Sequence, residues 1–403
     1  MTDVSKRFLN LISYDTSSLY ESTTYPSTPS QMDFAKTVLA PECEKIGLSD
    51  VTVDEYGYVT ATLPSNINRD IPTVGFIAHM DTSSDASGKN IKPQIIENYD
   101  GGDITLNDTM ILSPSEFPDM KNYIGQDIIT TDGTTLLGAD NKAGIAEILT
   151  AMEHLIKNPS IKHGEIKIAF TPDEEVGRGV DRFDVKKFGA DFAYTIDGGR
   201  LGEFEYESFN AARAVIKITG KSVHPGAAKG IMINAGLIAT EIASKFPCDE
   251  TPATTEGREG FFHLTKISGS VGTATLEYII RDFDKSSFIN RKEFIKNLAD
   301  EFAVEVNIHD EYFNMHDVLS KDEYSQIRNI AIESMEILGI TPIISPIRGG
   351  TDGARLSFMG LPCPNIFAGG HNFHGPYEFI PIQSMIKATE VIVKICEVIP
   401  QKF

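Results

Sequence analysis

The chain has 403 residues, of which 41% are hydrophobic and 23% are charged, so it can bury a real core and is long enough for two domains. Lysine and arginine total 36 against 57 acidic residues, a net charge of -21, which excludes nucleic acid as a partner because like charges repel. The N-terminus lacks the apolar core of a signal peptide, and no apolar run approaches the ~20 residues that span a bilayer. We therefore expect a cytoplasmic protein with no membrane partner.

The cysteines are widely separated and lack C-x-x-C spacing, which argues against a disulfide framework or a thiolate metal site. They are Cys43, Cys248, Cys363 and Cys396. We expect all four to be buried as small hydrophobic residues.

The first part of the chain predicts helices, a hairpin and one buried strand. In order, these elements are a helix over 4–12, a surface loop over 15–31, a helix over 34–46 and a hairpin over 51–63. Residues 73–78 form a short apolar run, which is typical of a sheet strand covered on both faces. His79 and Asp81 follow it directly.

Asp140 lies between a strand-like run and a long amphipathic helix. The helix is predicted to begin near Gly144, because apolar residues recur at three- and four-residue spacing as far as Ile156. Taken alone, Asp140 is best interpreted as a helix cap, since its carboxylate suits the positive end of the helix dipole. Further acidic and histidine clusters at strand ends make a ligand role a competing interpretation.

Three later apolar runs end in such clusters. Residues 166–170 run into Glu174 and Glu175, residues 192–196 into Asp197, and residues 364–368 into a loop that contains His374. Strands that alternate with helices predict an α/β fold with a mixed, mainly parallel sheet flanked by helices. Such sheets bind ligands at the carboxyl ends of their strands, so we expect these polar side chains to share one site.

Residues 211–315 show a different pattern of strand, helix, strand, strand, helix and strand. That order predicts an inserted ferredoxin-like α+β domain. The sheet domain would then consist of residues 1–210 and 316–403.

Histidine and carboxylate side chains at these positions suit two divalent, zinc-like ions. A two-metal site also needs a bridging carboxylate, and Asp140 is the best placed. Glu174 and Glu175 are adjacent, and neighbouring side chains on an extended chain diverge, so one would bind metal while the other acts as general base. Two ions that hold a hydroxide and polarise a carbonyl would hydrolyse an amide bond.

Five short motifs now carry a family resemblance. They are Ala78–Ser83, Gly138–Gly144, Thr171–Gly177, Thr195–Gly199 and Asn372–Gly375. Together they resemble the dinuclear zinc exopeptidase family that includes carboxypeptidase G and aminoacylase. Longer blocks resemble the tripeptide aminopeptidases of that family, and the resemblance covers nearly the whole chain. These blocks are Arg7–Asn10, Ser222–Gly226, Tyr278–Asp284 and Pro346–Ala354.

The resemblance implies a role for each candidate residue. One zinc would be bound by His79, Asp140 and Asp197, and the other by Asp140, Glu175 and His374. Glu174 would be the base, Asp81 would orient His79, and His224 would contact the oxyanion, from the partner subunit of a dimer. Arg281 and Arg348 are candidates for binding the terminal carboxylate of a peptide, because a guanidinium can hold a carboxylate bidentately.

Asn141 lies within one of these motifs, and His371 lies directly before another. Many relatives have Asp where this chain has Asn141, and the family often has a cis peptide bond before that residue. His371 is rejected as a ligand, because the Asn-x-His pattern of the family points to His374.

The resulting prediction is a cytoplasmic aminopeptidase that releases the N-terminal residue from tripeptides by attack of a metal-bridged hydroxide. It would contain two Zn²⁺ per subunit and form a homodimer through the inserted domain, which also acts as a lid. The main alternative is a dipeptidase or an N-acyl amino acid amidohydrolase of the same family. An alternative of another class is a non-catalytic peptide-binding scaffold, which predicts the loss of a ligand or of Glu174, and none is missing.

Overall fold

The computed structural model describes residues 3–403, which form two compact units. The sheet unit comprises the described residues up to Tyr206 together with Val318–Ser345 and Thr351–Phe403. The inserted unit comprises Glu207–Asp317 and Pro346–Gly350. It therefore includes a short segment, Pro346–Gly350, that was predicted from the sequence to belong to the sheet domain.

The strands and α-helices are as follows, in chain order. The strands are β1 (Ser49–Val53), β2 (Val59–Leu63), β3 (Val74–His79), β4 (Gln94–Ile96), β5 (Ile104–Asn107), β6 (Met110–Leu112), β7 (Ile128–Thr130), β8 (Ile166–Thr171), β9 (Phe192–Ile196), β10 (Glu203–Glu205), β11 (Asn210–Thr219), β12 (Phe261–Gly269), β13 (Thr273–Asp282), β14 (Glu305–Tyr312), β15 (Ile343–Ile344), β16 (Asn365–Ile366) and β17 (Phe379–Pro381). The helices are α1 (Asp3–Leu11), α2 (Pro29–Phe34), α3 (Ala40–Ile46), α4 (Ala139–Lys157), α5 (Val185–Phe188), α6 (Ala235–Ser244), α7 (Lys285–Glu301), α8 (His316–Leu319), α9 (Ser325–Ile337), α10 (Asp352–Phe358) and α11 (Ile382–Lys402), with a π-helical turn, Ala35–Leu39, joining α2 to α3.

The main sheet of the sheet unit is mixed, in the strand order β1-β2-β8-β3-β9-β16-β10-β15. Its centre is parallel, since β3 pairs with β8 and β9 and β9 pairs with β16 in the same direction. Every residue of β3 is buried, as expected for a strand covered on both faces. Helix α4 packs against β3, α1 and α11. The predicted α/β class is confirmed.

Helix α4 extends from Ala139, but its regular helical backbone begins only after Asn141, close to the start near Gly144 that the sequence pattern predicted. Asp140 and Asn141 have non-helical backbone angles inside its first turn, and the peptide bond between them is cis. A Cβ atom at Gly144 would lie 2.2 Å from the carbonyl oxygen of Ile196. Only glycine lets the helix approach the end of β9 this closely, and that approach places Asp140 beside Asp197.

The inserted unit has the predicted ferredoxin-like order. Its four described strands form an antiparallel sheet in the order β12-β13-β11-β14. Helices α6 and α7 pack against this sheet around a core that includes Ile216, Leu276 and Phe288.

Some local predictions were wrong. The strand predicted over 364–368 is only β16. Beyond it, the amide of Phe367 donates to the carbonyl of Glu203 in β10, and the amide of Ala368 donates to the carbonyl of Gly198 in the turn before β10. Strands β4 to β7 were not predicted. Cys248 is exposed, whereas Cys43, Cys363 and Cys396 are buried, and all four are free thiols. Among residues 3–403, no helix is long and apolar enough to cross a membrane.

Candidate metal centre

His79 is the last residue of β3, and Asp81 lies just beyond the edge of the sheet. The imidazole Nδ1 lies 3.0 Å from the backbone oxygen of Asp81 and 3.4 Å from its Oδ1. These contacts leave Nε2 facing Asp140, whose Oδ1 is 2.8 Å away. The Asp81 carboxylate also positions the two glutamates. Its two oxygens accept hydrogen bonds from the backbone amides of Glu174 and Glu175, at 3.0 and 3.1 Å. Sequence reasoning missed this second contact.

Glu174 and Glu175 lie in a short 3-10 helix, Glu174–Val176, directly after β8. The turn into it passes through Asp173, which has a left-handed backbone (φ 59°). The Asp173 carboxylate accepts hydrogen bonds from the backbone amide of Ser27 and the side-chain amide of Gln31. The two glutamates are thus held from both sides, by Asp81 and by the loop that Asp173 anchors.

Asp197 and His374 complete the site. Asp197 follows β9, where its amide donates to the carbonyl of Ile366. His374 lies in the loop before β17, with a left-handed backbone (φ 65°). Its Nε2 is 2.9 Å from Glu175 Oε2 and 3.3 Å from Asp140 Oδ2.

The structure brings the five predicted metal ligands together in two groups. The first is His79, Asp140 and Asp197, and the second is Asp140, Glu175 and His374. Within each group the potential ligand atoms lie within 4.8 Å of one another. Asp140 belongs to both groups, and its two oxygens face different imidazoles.

The shifted pKa values of these side chains favour positive charge in the site. Burial raises the pKa of Glu175 to about 8, and the charge of Asp140 acts in the same direction. Burial also raises the pKa of Asp197 to about 7, against the opposing effect of His79. Hydrogen bonds to Asp140 and Glu175 raise the pKa of His374 to about 11. Protons therefore supply the positive charge that clustered carboxylates require.

Metal ions fit this donor set. Imidazole nitrogen and carboxylate oxygen are ligands of zinc and of similar divalent ions. Oε1 of Glu175 is buried and has no hydrogen-bond partner among the described residues. A buried polar atom without a partner is costly, and a cation between Asp140, Glu175 and His374 would satisfy it.

Glu174 is not part of either ligand group. Burial raises its pKa well above the usual value, and the nearby charges of Asp352, Asp197 and Glu175 raise it further, while His79 lowers it. A carboxylate with a raised pKa is a better proton acceptor than an ordinary one. Cations in the site would lower this pKa again by direct charge interaction.

Two further residues hold the site together. The side-chain amide of Asn141 donates to the carbonyl of Ile196 at 2.8 Å, a bond that an ionised Asp could not make. Glu378 accepts hydrogen bonds from the amides of Leu137, Gly138 and Asp140, where the chain turns into α4. Sequence reasoning gave neither residue a role, although Glu378 stands four residues after His374. His371, rejected as a ligand, instead lies with Nε2 2.6 Å from the hydroxyl oxygen of Tyr123.

The remaining predicted residues lie in the inserted unit. His224 is exposed, and its Nδ1 accepts a hydrogen bond from the amide of Gly226. Arg281 pairs with Glu311 at 3.1 Å and lies over the ring of Tyr312. The guanidinium of Arg348 donates to the carbonyls of Gly257 and Glu259, at 2.8 and 3.0 Å. The carboxylate of Asp282, the neighbour of Arg281 in the chain, accepts a hydrogen bond from Arg291.

The fold and the site define a class of enzyme. The chain belongs to peptidase family M20/M25/M40, whose sequence pattern matches residues 132–398. It is therefore a peptidase and a hydrolase, as the motifs predicted.

Within that family, the resemblance carried by the longer sequence blocks is to peptidase T, and it is confirmed. The chain is 59% identical to the peptidase T of Caldanaerobacter subterraneus subsp. tengcongensis over 411 aligned residues, which cover 100% of both chains.

Two solved structures share the fold. One is a tripeptidase from Staphylococcus aureus, with a TM-score of 0.78 and 22% identity over 99% of this chain and 98% of that one. The other is a Bacillus subtilis protein described as a dinuclear metal binding peptidase from the M20 family, with a TM-score of 0.67 and 14% identity over 99% of this chain and 98% of that one.

Proposed function

We propose that the chain is an aminopeptidase that releases the N-terminal residue from tripeptides at a site for two zinc ions. The observation that carries this proposal is the position of Asp140, whose two oxygens face the imidazoles of His79 and His374. One carboxylate shared between two ligand groups is the arrangement that a pair of closely spaced metals requires. His79 and Asp197 would complete one site, and Glu175 and His374 the other.

The chemistry then divides between the ions and the chain. When bound, two such ions supply Lewis acidity that polarises a peptide carbonyl and makes a water molecule acidic. Glu174 takes the proton from the attacking water and passes it to the leaving amine. Asp81 fixes the backbone of Glu174 and Glu175, so that one glutamate is held for proton transfer and the other for metal binding.

The roles proposed for the inserted unit follow the family resemblance. His224 would stabilise the oxyanion, and Arg281 and Arg348 would bind the terminal carboxylate of the substrate. A homodimer through this unit is supported by its exposed apolar residues, since Leu237 is 67% exposed and Ile233 and Ile267 are about half exposed. Exposed apolar side chains of this size are common at protein interfaces. We also propose that the enzyme works in the cytoplasm.

Peptides of different lengths test the substrate proposal. We expect the highest kcat/KM for tripeptides with a free N-terminus, lower values for di- and tetrapeptides, and no cleavage of N-acetylated peptides. Steady-state hydrolysis of such a panel, repeated with metal-stripped protein as a control, gives the ranking. A preference for dipeptides or for blocked N-termini would instead support the dipeptidase or N-acyl amidohydrolase alternative.

The metal-free protein should lose stability as the pH rises. Folded Glu175 and Asp197 keep protons up to about pH 8 and about pH 7, whereas unfolded carboxyl groups release them near pH ~4. His374, with its raised pKa, has the same effect above pH ~6.5. At these three groups the folded state thus binds more protons than the unfolded state between about pH 5 and about pH 8, so their contribution to its stability falls as the pH rises. The lowered pKa of Asp140 lies below this window.

Thermal unfolding of the chelator-treated protein across that pH range measures the effect. Added zinc should remove most of the fall in Tm, because metal binding requires deprotonated ligands and becomes tighter as the pH rises. The Glu175→Gln variant should show a flatter metal-free profile. A metal-free Tm that stays constant or rises with pH would contradict this interpretation of the cluster.

A further inference from the structure

Glu378 is a buried residue, 1% exposed, in the loop between His374 and β17. Its side chain bonds only to backbone amides in the structure described here. Oε2 accepts from the amides of Leu137 and Gly138, at 2.7 and 3.0 Å, and Oε1 accepts from the amide of Asp140, at 3.1 Å. One carboxylate thus binds three amides of a single four-residue turn.

That turn needs an acceptor from elsewhere in the chain. The first amides of a helix have no carbonyl partner within the helix, and Leu137, Gly138 and Ala139 are all buried away from water. Gly138 has a left-handed backbone (φ 77°), which turns the chain sharply just before α4. Glu378 supplies the hydrogen bonds that water or a capping side chain supplies at other helix ends.

The bonds of Glu378 reach the shared ligand of the site directly. The amide that donates to Oε1 belongs to Asp140, the residue common to both ligand groups. Glu378 also lies in the loop that contributes His374. Its carboxylate therefore ties the turn that presents Asp140 to the loop that presents His374, and it fixes the separation of ligands that belong to different parts of the chain.

We propose that Glu378 is a positioning residue for the two-metal site: its carboxylate sets the backbone of Leu137 to Asp140 so that Asp140 can bind both ions. This inference rests on the proposed function. Metal sites depend on residues outside the ligand set that orient the ligands, and loss of such a residue typically weakens metal binding or activity about 10- to 100-fold.

The Glu378→Gln variant tests this role. The amide keeps the size of the side chain but replaces one acceptor oxygen with a donor, so either Asp140 or the pair Leu137 and Gly138 loses its partner. Zinc titration of the stripped protein by calorimetry should show affinity at one or both sites reduced about 10- to 100-fold. The kcat for a tripeptide should fall at saturating zinc while KM changes little, and cooperative unfolding should be retained.

Two further variants separate positioning from folding. Glu147→Gln is the matched control, because Glu147 is as deeply buried in α4 and neither of its oxygens has a hydrogen-bond partner among the described residues; its zinc affinity and kcat should equal those of the wild type. Glu378→Asp keeps two acceptor oxygens and should recover part of the affinity lost in Glu378→Gln.

The outcomes distinguish this inference from the proposal on which it depends. If the wild-type protein bound fewer than two zinc ions, the proposed two-metal site would be wrong, independently of the role of Glu378. Wild-type protein that binds two ions, with a Glu378→Gln variant that binds both as tightly and turns over as fast, would overturn the positioning role alone. If Glu378→Gln does not fold, Glu378→Asp decides: wild-type zinc affinity with a lowered Tm would show that Glu378 is only structural.

Discussion

The Glu174→Gln variant is expected to bind two zinc ions like the wild type and to lose nearly all turnover. Glutamine has almost the same shape, but it cannot accept a proton from the attacking water. General bases typically contribute a factor of about 10² to 10⁴ in rate, so kcat should fall by that amount with little change in KM. Metal analysis of the purified variant and steady-state kinetics on a tripeptide measure the two effects.

The neighbouring Glu175→Gln variant is the matched comparison. Glu175 belongs to the second ligand group, together with His374, so this variant should bind the second ion more weakly and recover activity as zinc is added. If Glu174→Gln remained fully active, the proposed base would be wrong. If both variants lost zinc to the same extent, the division of labour between the two glutamates would be wrong.

The Asp140→Asn variant should weaken both metal sites at once. An amide keeps one oxygen, but it loses the negative charge and the second acceptor that Asp140 offers to two ions. Replacing a residue outside the ligand set weakens metal binding about 10- to 100-fold. Replacing a ligand that both ions share should therefore weaken binding more than ~100-fold at both sites. Activity should fall below detection at micromolar zinc, as followed by zinc titration during tripeptide cleavage.

The Asp197→Asn variant shows whether the loss of zinc affinity at both sites in Asp140→Asn arises because Asp140 belongs to both ligand groups. Asp197 belongs only to the first group, with His79 and Asp140, so it should weaken one site and leave the other close to the wild-type affinity. Equal losses at both sites in Asp197→Asn, or loss at a single site in Asp140→Asn, would be inconsistent with a bridging Asp140.

These variants also address the scaffold alternative. A non-catalytic peptide-binding protein would bind tripeptides without cleaving them, and it would not distinguish Glu174 from other acidic residues. The aminopeptidase proposal instead requires peptide binding to survive in Glu174→Gln while cleavage is lost.

Much of the architecture could be predicted from patterns that are local in the chain. Apolar runs such as 73–78 and 192–196 show the sheet strands, and the ligands follow because strand ends converge in an α/β fold. The apolar periodicity placed the start of α4 near Gly144, close to where its regular backbone begins, because Asp140 and Asn141 adopt non-helical angles before it. Strands β4 to β6 are short and partly exposed, and β7 is buried but only three residues long, so their apolar patterns are weak.

Contacts between distant parts of the chain were not predictable in the same way. Asp81 was expected to orient His79, yet its carboxylate also binds the amides of Glu174 and Glu175. Glu378 accepts hydrogen bonds from backbone amides more than 230 residues away. Such bonds cannot be predicted from residue types, because nearly every residue has a backbone amide. Arg348 was assigned to substrate because guanidinium groups bind carboxylates, but the structure shows that it also donates to the carbonyls of Gly257 and Glu259.

Anomalous X-ray diffraction from crystals of the protein loaded with zinc tests the two-metal site most directly. The anomalous difference map from data collected above the zinc absorption edge should show two peaks about 3.5–4 Å apart, one on each side of the Asp140 carboxylate. Both peaks should nearly vanish in data collected below the edge. His79 and Asp197 should contact one peak, and Glu175 and His374 the other. A single peak, or two peaks that do not share Asp140, would contradict the central claim.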